Sequence, residues 1–428
     1  MQSNQIQNKK AVLVGVEFPE NRDFALDMEE LFGLCQALSI ESCTSISQSL
    51  AREDSATFIG SGKVEEVRAA VLFHEADLVI FQNALSPSQL HNLSKALSVE
   101  VLDRTQVILQ IFAERARSKE AKMQVQYATL QYMLPRLVGI RENLSRQGGS
   151  GGAGLSNRGA GEKKIELDKR KIQEEMAFLR RECKKQEEVR RVKRQKREKS
   201  NIPRIALVGY TNAGKSSLMN AILDWSKEGQ KEKVEEKDML FATLDTTIRH
   251  VKGERGEEFL FADTVGFIRD LPPKLLDAFH STLEEAIEAD LILQVVDYSD
   301  PNYQKHMDST LATLKKLEAS HIPMLYVMNK CDKVLPLSEL PKKRGDKLYI
   351  SVKKGIGISE LMEAVSEKAS ANLRPLSILL PYSEAAWENS IRKEGKILSL
   401  SYEEEGIQME LRLPEALYAK LQRFSFNK

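Results

Sequence analysis

Residues 209–216, near the middle of the chain, have the types and spacing that bind phosphate. They read GYTNAGKS, which matches GxxxxGK[ST] and lies between a predicted strand and a predicted helix. In such a loop, backbone N–H groups surround a β-phosphate, the lysine reaches the β- and γ-phosphate oxygens, and the final hydroxyl ligates Mg²⁺. The predicted contacts to a nucleoside triphosphate are Gly209, Tyr210, Thr211, Asn212, Ala213, Gly214, Lys215 and Ser216.

Three later segments complete the predicted nucleotide site, and two of them predict that the base is guanine. Asp263–Gly266 reads DTVG, in which the carboxylate can hold Mg²⁺ through water and the Gly266 N–H can bond the γ-phosphate. Asn329–Asp332 reads NKCD, and the Asp332 carboxylate can accept two hydrogen bonds that guanine donates and adenine cannot. Ser351–Lys353 reads SVK, where backbone N–H groups can reach guanine O6.

Each of these segments follows a predicted strand, which is the edge where α/β sheets bind ligands. Their order and their positions together predict GTP binding and hydrolysis. The added contacts are Asp263, Thr264, Val265, Gly266, Asn329, Lys330, Cys331, Asp332, Ser351, Val352 and Lys353.

Two features of the hydrolysis step are left open by spacing alone. A further Mg²⁺ ligand is expected in the segment FATLDTT, where Thr243, Thr246 and Thr247 all qualify. In many small GTPases a glutamine after DxxG orients the attacking water. Phe267 stands there in this chain, and its ring cannot hydrogen-bond water. We therefore expect slow intrinsic hydrolysis, with another residue or a partner supplying that group.

The elements that position these motifs predict an α/β fold class with four domains. They are an N-terminal α/β domain (1–105), a helical hairpin (106–200), a P-loop GTPase domain with a mostly parallel sheet (201–373) and a small C-terminal α+β module (374–428). In the first domain, apolar runs such as Ala11–Val16 and Asp77–Phe81 alternate with helical stretches, which favours a parallel sheet. The motif GSGK at Gly60–Lys63 lacks phosphate-loop spacing, so a structural or RNA-contacting turn is favoured over an ATP site.

Apolar residues at seven-residue spacing predict two long helices between the α/β domains. They are Leu109, Ala116, Met123, Leu130 and Leu137 in the first and Ile165, Ile172 and Leu179 in the second. Two such helices joined by one loop pack most simply as an antiparallel hairpin, and a pair packed on a globular core is the alternative. The tip loop 148–161 is half glycine, so it should be mobile in the free protein, unless it is only a linker.

Charge and composition narrow the class of protein. The net charge is +1, but residues 162–199 hold 16 Lys/Arg against 9 Asp/Glu, which is typical of a solvated helix face or of a surface that binds a phosphate backbone. The four cysteines have no metal spacing and are expected to be reduced thiols. No secretory signal and no apolar run of membrane-spanning length is visible, so we expect a cytoplasmic protein without an integral span.

The chain resembles the HflX family of translation-associated GTPases. The resemblance rests on GYTNAGKSSLMN (209–220), FATLDTT (241–247) and DTVGFI (263–268). Further family-like stretches are TFIGSGKVEE (57–66), LDRTQVILQIF (102–112) and the glycine-rich loop before GEKKIELDKRKI (161–172). It implies that Thr243 contacts Mg²⁺ beside Ser216, and that Lys215, Thr243 and Gly266 are catalytic. The switch residues that it adds to the nucleotide site are Phe241, Ala242, Thr243, Leu244 and Asp245.

The resemblance also implies a partner. The expected partner is the large ribosomal subunit and its RNA, in ribosome rescue, recycling or biogenesis, with the hairpin tip near the peptidyl-transferase region. We expect a monomer. The alternative is a protein-scaffold GTPase that dimerises through its hairpin and binds no RNA.

Overall fold

The computed structural model describes residues 8–21, 23–147, 155–198, 202–226, 240–241, 247–253, 256–269, 287–369, 374–413 and 415–426. These residues form two compact units. The first contains the described residues up to Gln186 together with Leu240 and Phe241, and the second contains the other described residues from Glu187 onward. In the described ranges, no helix is long and apolar enough to cross a membrane. Both units combine helices with sheets, and the predicted α/β fold class is confirmed.

A four-stranded parallel sheet opens the first unit. In chain order its elements are β1 (Lys10–Glu17), α1 (Phe24–Ala37), β2 (Glu41–Ser49), α2 (Ser61–His74), β3 (Leu78–Phe81), α3 (Pro87–Leu97) and β4 (Glu100–Asp103). The strand order is β2-β1-β3-β4, and each neighbouring pair is parallel. The sequence did not predict β2, because this edge strand reads ESCTSISQS and Ile46 alone is buried in it. An edge strand needs few apolar residues, since it covers little of the core.

Two helices replace the first long helix that the seven-residue spacing predicted. α4 (Arg104–Arg115) ends where Ala116 takes extended backbone angles, and α5 (Lys119–Gln147) follows. The Ser118 Oγ accepts a hydrogen bond from the Ala121 N–H at 3.0 Å, so it caps the new helix. The predicted continuity was therefore wrong: an apolar repeat does not register a capped break of three residues. The predicted boundary at 105/106 also falls inside α4.

α5 packs against α6 (Leu155–Glu198) through the predicted apolar stripe. Met123, Leu130, Ile172 and Leu179 form one buried cluster. The Gln126 amide donates to Glu175, and these two residues lie about equally far from the connection, so the helices are antiparallel. The predicted tip loop 148–161 was too long, because residues 155–161 are helical, whereas residues 148–154 lie outside the described ranges. α6 has 44 residues and includes Gly159 and Gly161. A helix of this length tolerates the penalty of about 1 kcal/mol that each glycine imposes.

A seven-stranded sheet forms the centre of the second unit. Its elements in chain order are β5 (Arg204–Gly209), α7 (Lys215–Trp225), β6 (Thr247–Lys252), β7 (Glu258–Asp263), β8 (Leu291–Asp297), α8 (Tyr303–Lys316), β9 (Met324–Asn329), β10 (Lys342–Arg344), β11 (Lys347–Tyr349) and α9 (Ile358–Ala369). The order is β10-β11-β9-β8-β5-β7-β6, and only β6 and β10 pair antiparallel with their neighbours. The carboxyl ends of β5, β7, β8 and β9 therefore meet at one edge of the sheet.

A three-stranded antiparallel sheet ends the described chain. Its strands are β12 (Arg374–Leu380), β13 (Lys396–Glu403) and β14 (Gly406–Leu413), in the order β12-β14-β13, with helices α10 (Trp387–Glu394) and α11 (Glu415–Leu421). Its own core includes Ile378, Ile391, Met409 and Leu417. β13 and β14 are joined by a turn at Glu404 and Glu405, and the predicted α+β character of this module agrees with these elements.

Candidate nucleotide-binding site

The loop 209–216 connects the buried strand β5 to the amino end of α7. Gly214 has φ +94°, and a Cβ there would lie 2.5 Å from the Asn329 Nδ2. No other residue type fits this backbone angle and this close approach together. The loop therefore presents backbone N–H groups at a helix amino terminus, which is the arrangement that binds phosphate anions.

Lys215 is the buried cation of this loop. Its Nζ donates to the Gly209 carbonyl at 3.0 Å and to the Tyr210 carbonyl at 2.9 Å. Burial lowers the pKa of Lys215 to about 8, although the charge of Asp263 acts in the opposite direction. An anionic ligand in the loop would stabilise the charged ammonium and raise that pKa again.

Ser216 and Asp263 bring two oxygen donors together beside the loop. The Ser216 Oγ donates to the Asp263 Oδ2 at 3.0 Å, and Asp263 is fully buried at the end of β7. Thr247, the first residue of β6, pairs with Asp263 across the sheet. A hydroxyl beside a carboxylate is a donor set that suits Mg²⁺, which prefers oxygen ligands. Thr243, the predicted further ligand, lies outside the described residues.

The segment after Asp263 is fixed to the phosphate loop by its backbone. The Thr211 N–H donates to the Phe267 carbonyl at 2.9 Å, and the Phe267 N–H donates to the Gly209 carbonyl at 3.0 Å. The Phe267 ring is buried, which agrees with a packing role. Thr264 and Val265 are also buried, and the Thr264 hydroxyl donates to the Leu207 carbonyl at 2.7 Å. These two residues therefore offer a ligand only backbone groups.

Gly266 permits the closest approach between this segment and the loop. A Cβ at Gly266 would lie 2.7 Å from the Thr211 Cγ2 and 3.1 Å from the Lys215 Nζ. The side chains of Thr211 and Lys215 and the backbone of Gly266 thus meet at one corner of the site. We define these three residues as the Gly266 corner.

Asn329 joins the phosphate loop to the two segments predicted to bind the base. Its Nδ2 donates to the Ala213 carbonyl at 3.0 Å, and its Oδ1 accepts from the Val352 N–H at 3.1 Å. The side chain is buried, so neither bond competes with solvent. One amide therefore fixes the spacing of three loops.

Asp332 is oriented by the neighbouring segment. The Ser351 hydroxyl donates to the Asp332 Oδ1 at 2.6 Å. Cys331 is buried, and burial raises the pKa of its thiol to about 12, so it remains protonated and packs in the core. Lys353 is exposed.

Two residues of this site, Asp297 and His306, were missed by sequence reasoning. The Lys330 Nζ lies 2.8 Å from the Asp297 Oδ2 and also donates to the Asn212 carbonyl at 2.8 Å. Burial raises the pKa of Asp297, but hydrogen bonds from Lys330 and Ser299 and the charge of Lys330 outweigh it, so the pKa lies below its ordinary value. Asp297 ends β8 at the same sheet edge as the other motifs. The rule that α/β sheets bind ligands at the carboxyl ends of their strands could therefore have found it.

The other missed residue is His306, on α8. Its ring stacks on the Tyr210 ring with centroids 4.0 Å apart and planes 6° apart, and its Nδ1 lies 3.4 Å from the Asp300 Oδ2. Nothing in the sequence signalled this contact, because the two residues are far apart in the chain and neither belongs to a shared motif.

The structure brings the phosphate loop and the DTVG, NKCD and SVK segments together in the second unit. Phe241, which was also predicted to belong to the site, lies in the other unit. Phe241 belongs to the first unit, where its buried ring meets the Phe112 ring edge-on at 4.7 Å. Its side chain therefore has a packing role, and its predicted ligand contact stays a prediction. Ala242, Thr243, Leu244 and Asp245 lie outside the described residues.

Three family models match successive parts of the chain. One described as "GTP-binding GTPase N-terminal" matches residues 25–113, and one described as "GTP-binding GTPase Middle Region" matches residues 115–197. A third, described as "50S ribosome-binding GTPase", matches residues 204–330. Together they match most of the chain between residues 25 and 330.

Curated relatives match the chain over nearly its full length. The GTPase HflX of Caldanaerobacter subterraneus subsp. tengcongensis is 38% identical over 97% of this chain and 94% of its own. Those of Akkermansia muciniphila and Escherichia coli are 42% identical (85% of this chain, 84% of theirs) and 35% identical (95% and 94%). A solved structure described as SsGBP in complex with GDP aligns with 85% of this chain and 98% of its own, with a TM-score of 0.46 and 25% identity.

Proposed function

Because the chain belongs to the HflX family and is a GTPase, we propose that it is a GTP-dependent switch that binds the large (50S) ribosomal subunit in the cytoplasm. Its role would be in ribosome rescue and splitting or in ribosome biogenesis. The observation that carries this proposal is the match of residues 204–330 to a family described as 50S ribosome-binding GTPases. The hairpin adds support, since its second helix carries the basic run.

The geometry of the site supports the following residue roles. Backbone N–H groups of the 209–216 loop would surround the β-phosphate, and the Lys215 ammonium would move from its carbonyl acceptors to the β- and γ-phosphate oxygens. The Asp332 carboxylate would accept from guanine N1–H and the exocyclic amine, held in place by Ser351. The Lys330 stem would lie over the base plane.

Mg²⁺ fits the donor set at Ser216 and Asp263. Ser216, with Thr243 as the family resemblance implies, would ligate it directly, and Asp263 would hold it through water. When bound, it would neutralise charge on the β- and γ-phosphates. The Gly266 N–H would bond the γ-phosphate, so that loss of this phosphate after hydrolysis removes the contact and favours release from the ribosome.

We propose the domain division 1–105, 106–200, 201–373 and 374–428, with a monomer as the working state. The apolar stripes of α5 and α6 bury one another within a single chain, which leaves less apolar surface for the hairpin dimer of the scaffold alternative. Exposed basic residues of α6, including Arg180 and Lys184, are available for RNA phosphates.

Co-sedimentation with purified large subunits tests the proposal. We expect binding with a non-hydrolysable GTP analogue and little with GDP. Arg180→Gln with Lys184→Gln should weaken binding and reduce its dependence on salt. Each lost phosphate contact lowers the slope of log K against log salt concentration by about 0.7–0.9. The matched control is Glu187→Gln with Glu188→Gln, which changes two exposed charges on the same helix.

If the protein binds GTP but does not sediment with subunits in any nucleotide state, the ribosome role is wrong. A stable dimer of the free protein in sedimentation equilibrium would then favour the scaffold alternative.

A further inference from the structure

The group that orients the attacking water is missing from its usual place. Phe267 follows the DTVG segment, its ring is buried, and its backbone is held to the phosphate loop by two hydrogen bonds. A buried phenyl ring has no group that could hydrogen-bond a water molecule, so Phe267 cannot orient it. Another polar group near the Gly266 corner must therefore meet the water.

Thr211 is placed to meet it. The residue is 6% exposed, and its Oγ1 is buried with no hydrogen-bond partner among the described residues. A buried hydroxyl without a partner is unfavourable, so such a group in a folded protein calls for an explanation. Its Cγ2 lies against the Cα side of Gly266, beside the Lys215 Nζ.

Two neighbouring hydroxyls already have acceptors in the protein. The Ser216 Oγ donates to Asp263 and the Thr264 Oγ1 donates to the Leu207 carbonyl. The Thr247 Oγ1 also has no hydrogen-bond partner in the described part of the chain, but Thr247 pairs with Asp263 and so lies on the Mg²⁺ side of the site. Thr211 is the hydroxyl-bearing residue whose methyl group lies at the corner of both groups expected to contact the γ-phosphate, and its Oγ1 is bonded to the same Cβ.

We propose that Thr211 is a catalytic residue for intrinsic GTP hydrolysis and that its Oγ1 accepts a hydrogen bond from the attacking water. The water oxygen then bonds to the γ-phosphorus, and the bond from that phosphorus to the β–γ bridging oxygen breaks. The electron pair of the broken bond stays on the β-phosphate of GDP, and the water's proton passes to a γ-phosphate oxygen. Thr211 gains and loses no proton.

The proposal rests on the GTPase activity and not on ribosome binding. Single-turnover hydrolysis by the free protein, started by adding Mg²⁺ to the GTP complex, therefore tests it alone. Thr211→Val keeps the shape and removes the hydroxyl, and Thr211→Ser keeps the hydroxyl. We expect Thr211→Val to slow hydrolysis at least about tenfold while its affinity for a non-hydrolysable analogue stays within about threefold, and Thr211→Ser to retain most of the rate.

A matched control and a stability measurement separate catalysis from structure. Thr313 is another buried threonine of the same unit, and its hydroxyl donates to the Ser309 carbonyl at 3.0 Å, so Thr313→Val should hydrolyse GTP at the wild-type rate. Thr211→Val should also melt at or above the wild-type temperature without nucleotide, because it removes an unpaired buried hydroxyl.

Three results would overturn the proposal. They are wild-type hydrolysis by Thr211→Val, a Thr211→Ser variant as slow as Thr211→Val, and a loss of affinity that accounts for the whole loss of rate. If the wild-type protein does not bind GTP, the nucleotide site itself is wrong.

Discussion

The contact between Lys330 and Asp297 gives the sharpest test of the base side of the site. The Lys330 Nζ reaches the Asp297 Oδ2 and the Asn212 carbonyl, each at 2.8 Å. Asp297→Asn keeps the shape and an acceptor oxygen but removes the charge. The ammonium is then held less firmly where its stem would cover the guanine.

The magnitude follows from the exposure of the pair. The side chains of Lys330 and Asp297 are 21% and 23% exposed. An exposed ion pair contributes about 0.2–1 kcal/mol, and a hydrogen bond to a charged group about 1.5–3 kcal/mol. For a partly screened pair we expect about 1–2 kcal/mol, which weakens binding by about 5–30-fold.

Calorimetric titration with GDP and with a non-hydrolysable GTP analogue measures this loss. Both affinities should fall by the same factor, because the contact lies on the base side and not at the γ-phosphate. The hydrolysis rate of the fully bound protein should not change. Asp346→Asn is the matched control, since it removes a similar pair with Lys368 at 2.8 Å on the surface of the same unit and should leave affinity unchanged.

The refuting result is simple to recognise. If Asp297→Asn binds both nucleotides within twofold of wild type, Asp297 does not hold Lys330 in the bound state. An effect on the GTP analogue without one on GDP would place the contact at the wrong end of the site.

Three further predictions address other parts of the molecule. Asp332→Asn should weaken GTP binding by about 2–4 kcal/mol and favour the xanthine nucleotide instead, as competition titration measures. If the variant binds GTP as tightly as the wild type, the predicted position of the base pocket is wrong. Because the pKa of Lys215 is lowered to about 8 without nucleotide and phosphate anions should raise it, binding should take up about half a proton at pH 8 and almost none at pH 6.5, so affinity falls as pH rises through 8. Calorimetry in buffers of different ionisation enthalpy measures this uptake, and equal uptake by Lys215→Met would contradict the assignment. Replacing residues 148–154 by a short Gly-Ser turn should leave GTP binding unchanged and reduce hydrolysis stimulated by large subunits; full stimulation would make the segment a simple linker.

The motifs of the second unit were readable because their chemistry forces both residue type and spacing. The phosphate loop needs glycine where Asn329 approaches Gly214, and each later motif had to follow a buried parallel strand. Apolar runs in β1 and β3 were visible because these strands are buried along almost their whole length. These features are local in sequence, so periodicity and motif order captured them.

Most of what was missed depends on tertiary packing, and one feature depends on a local helix cap. β2 is an edge strand with one buried residue, and the break between α4 and α5 depends on the Ser118 cap rather than on apolar spacing. The stacking of His306 on Tyr210 joins residues of different elements. Phe241 was placed with the nucleotide by its motif, whereas its ring packs on Phe112. Tertiary packing decides all of these except the Ser118 cap, which is a local hydrogen bond that apolar spacing does not reveal.

The two backbone hydrogen bonds of Phe267 make it a pivot for the chain that passes Gly266. Each bond contributes about 1 kcal/mol, so translation of the chain at Phe267 would cost about twice that amount. Rotation of the Val265–Gly266 peptide plane, which carries the Gly266 N–H, breaks neither bond. A change at the γ-phosphate would therefore be taken up as a rotation of this one plane, while Phe267 stays bonded to Gly209 and Thr211. The two bonds thus separate the part of the segment that responds to the nucleotide from the part that holds the phosphate loop.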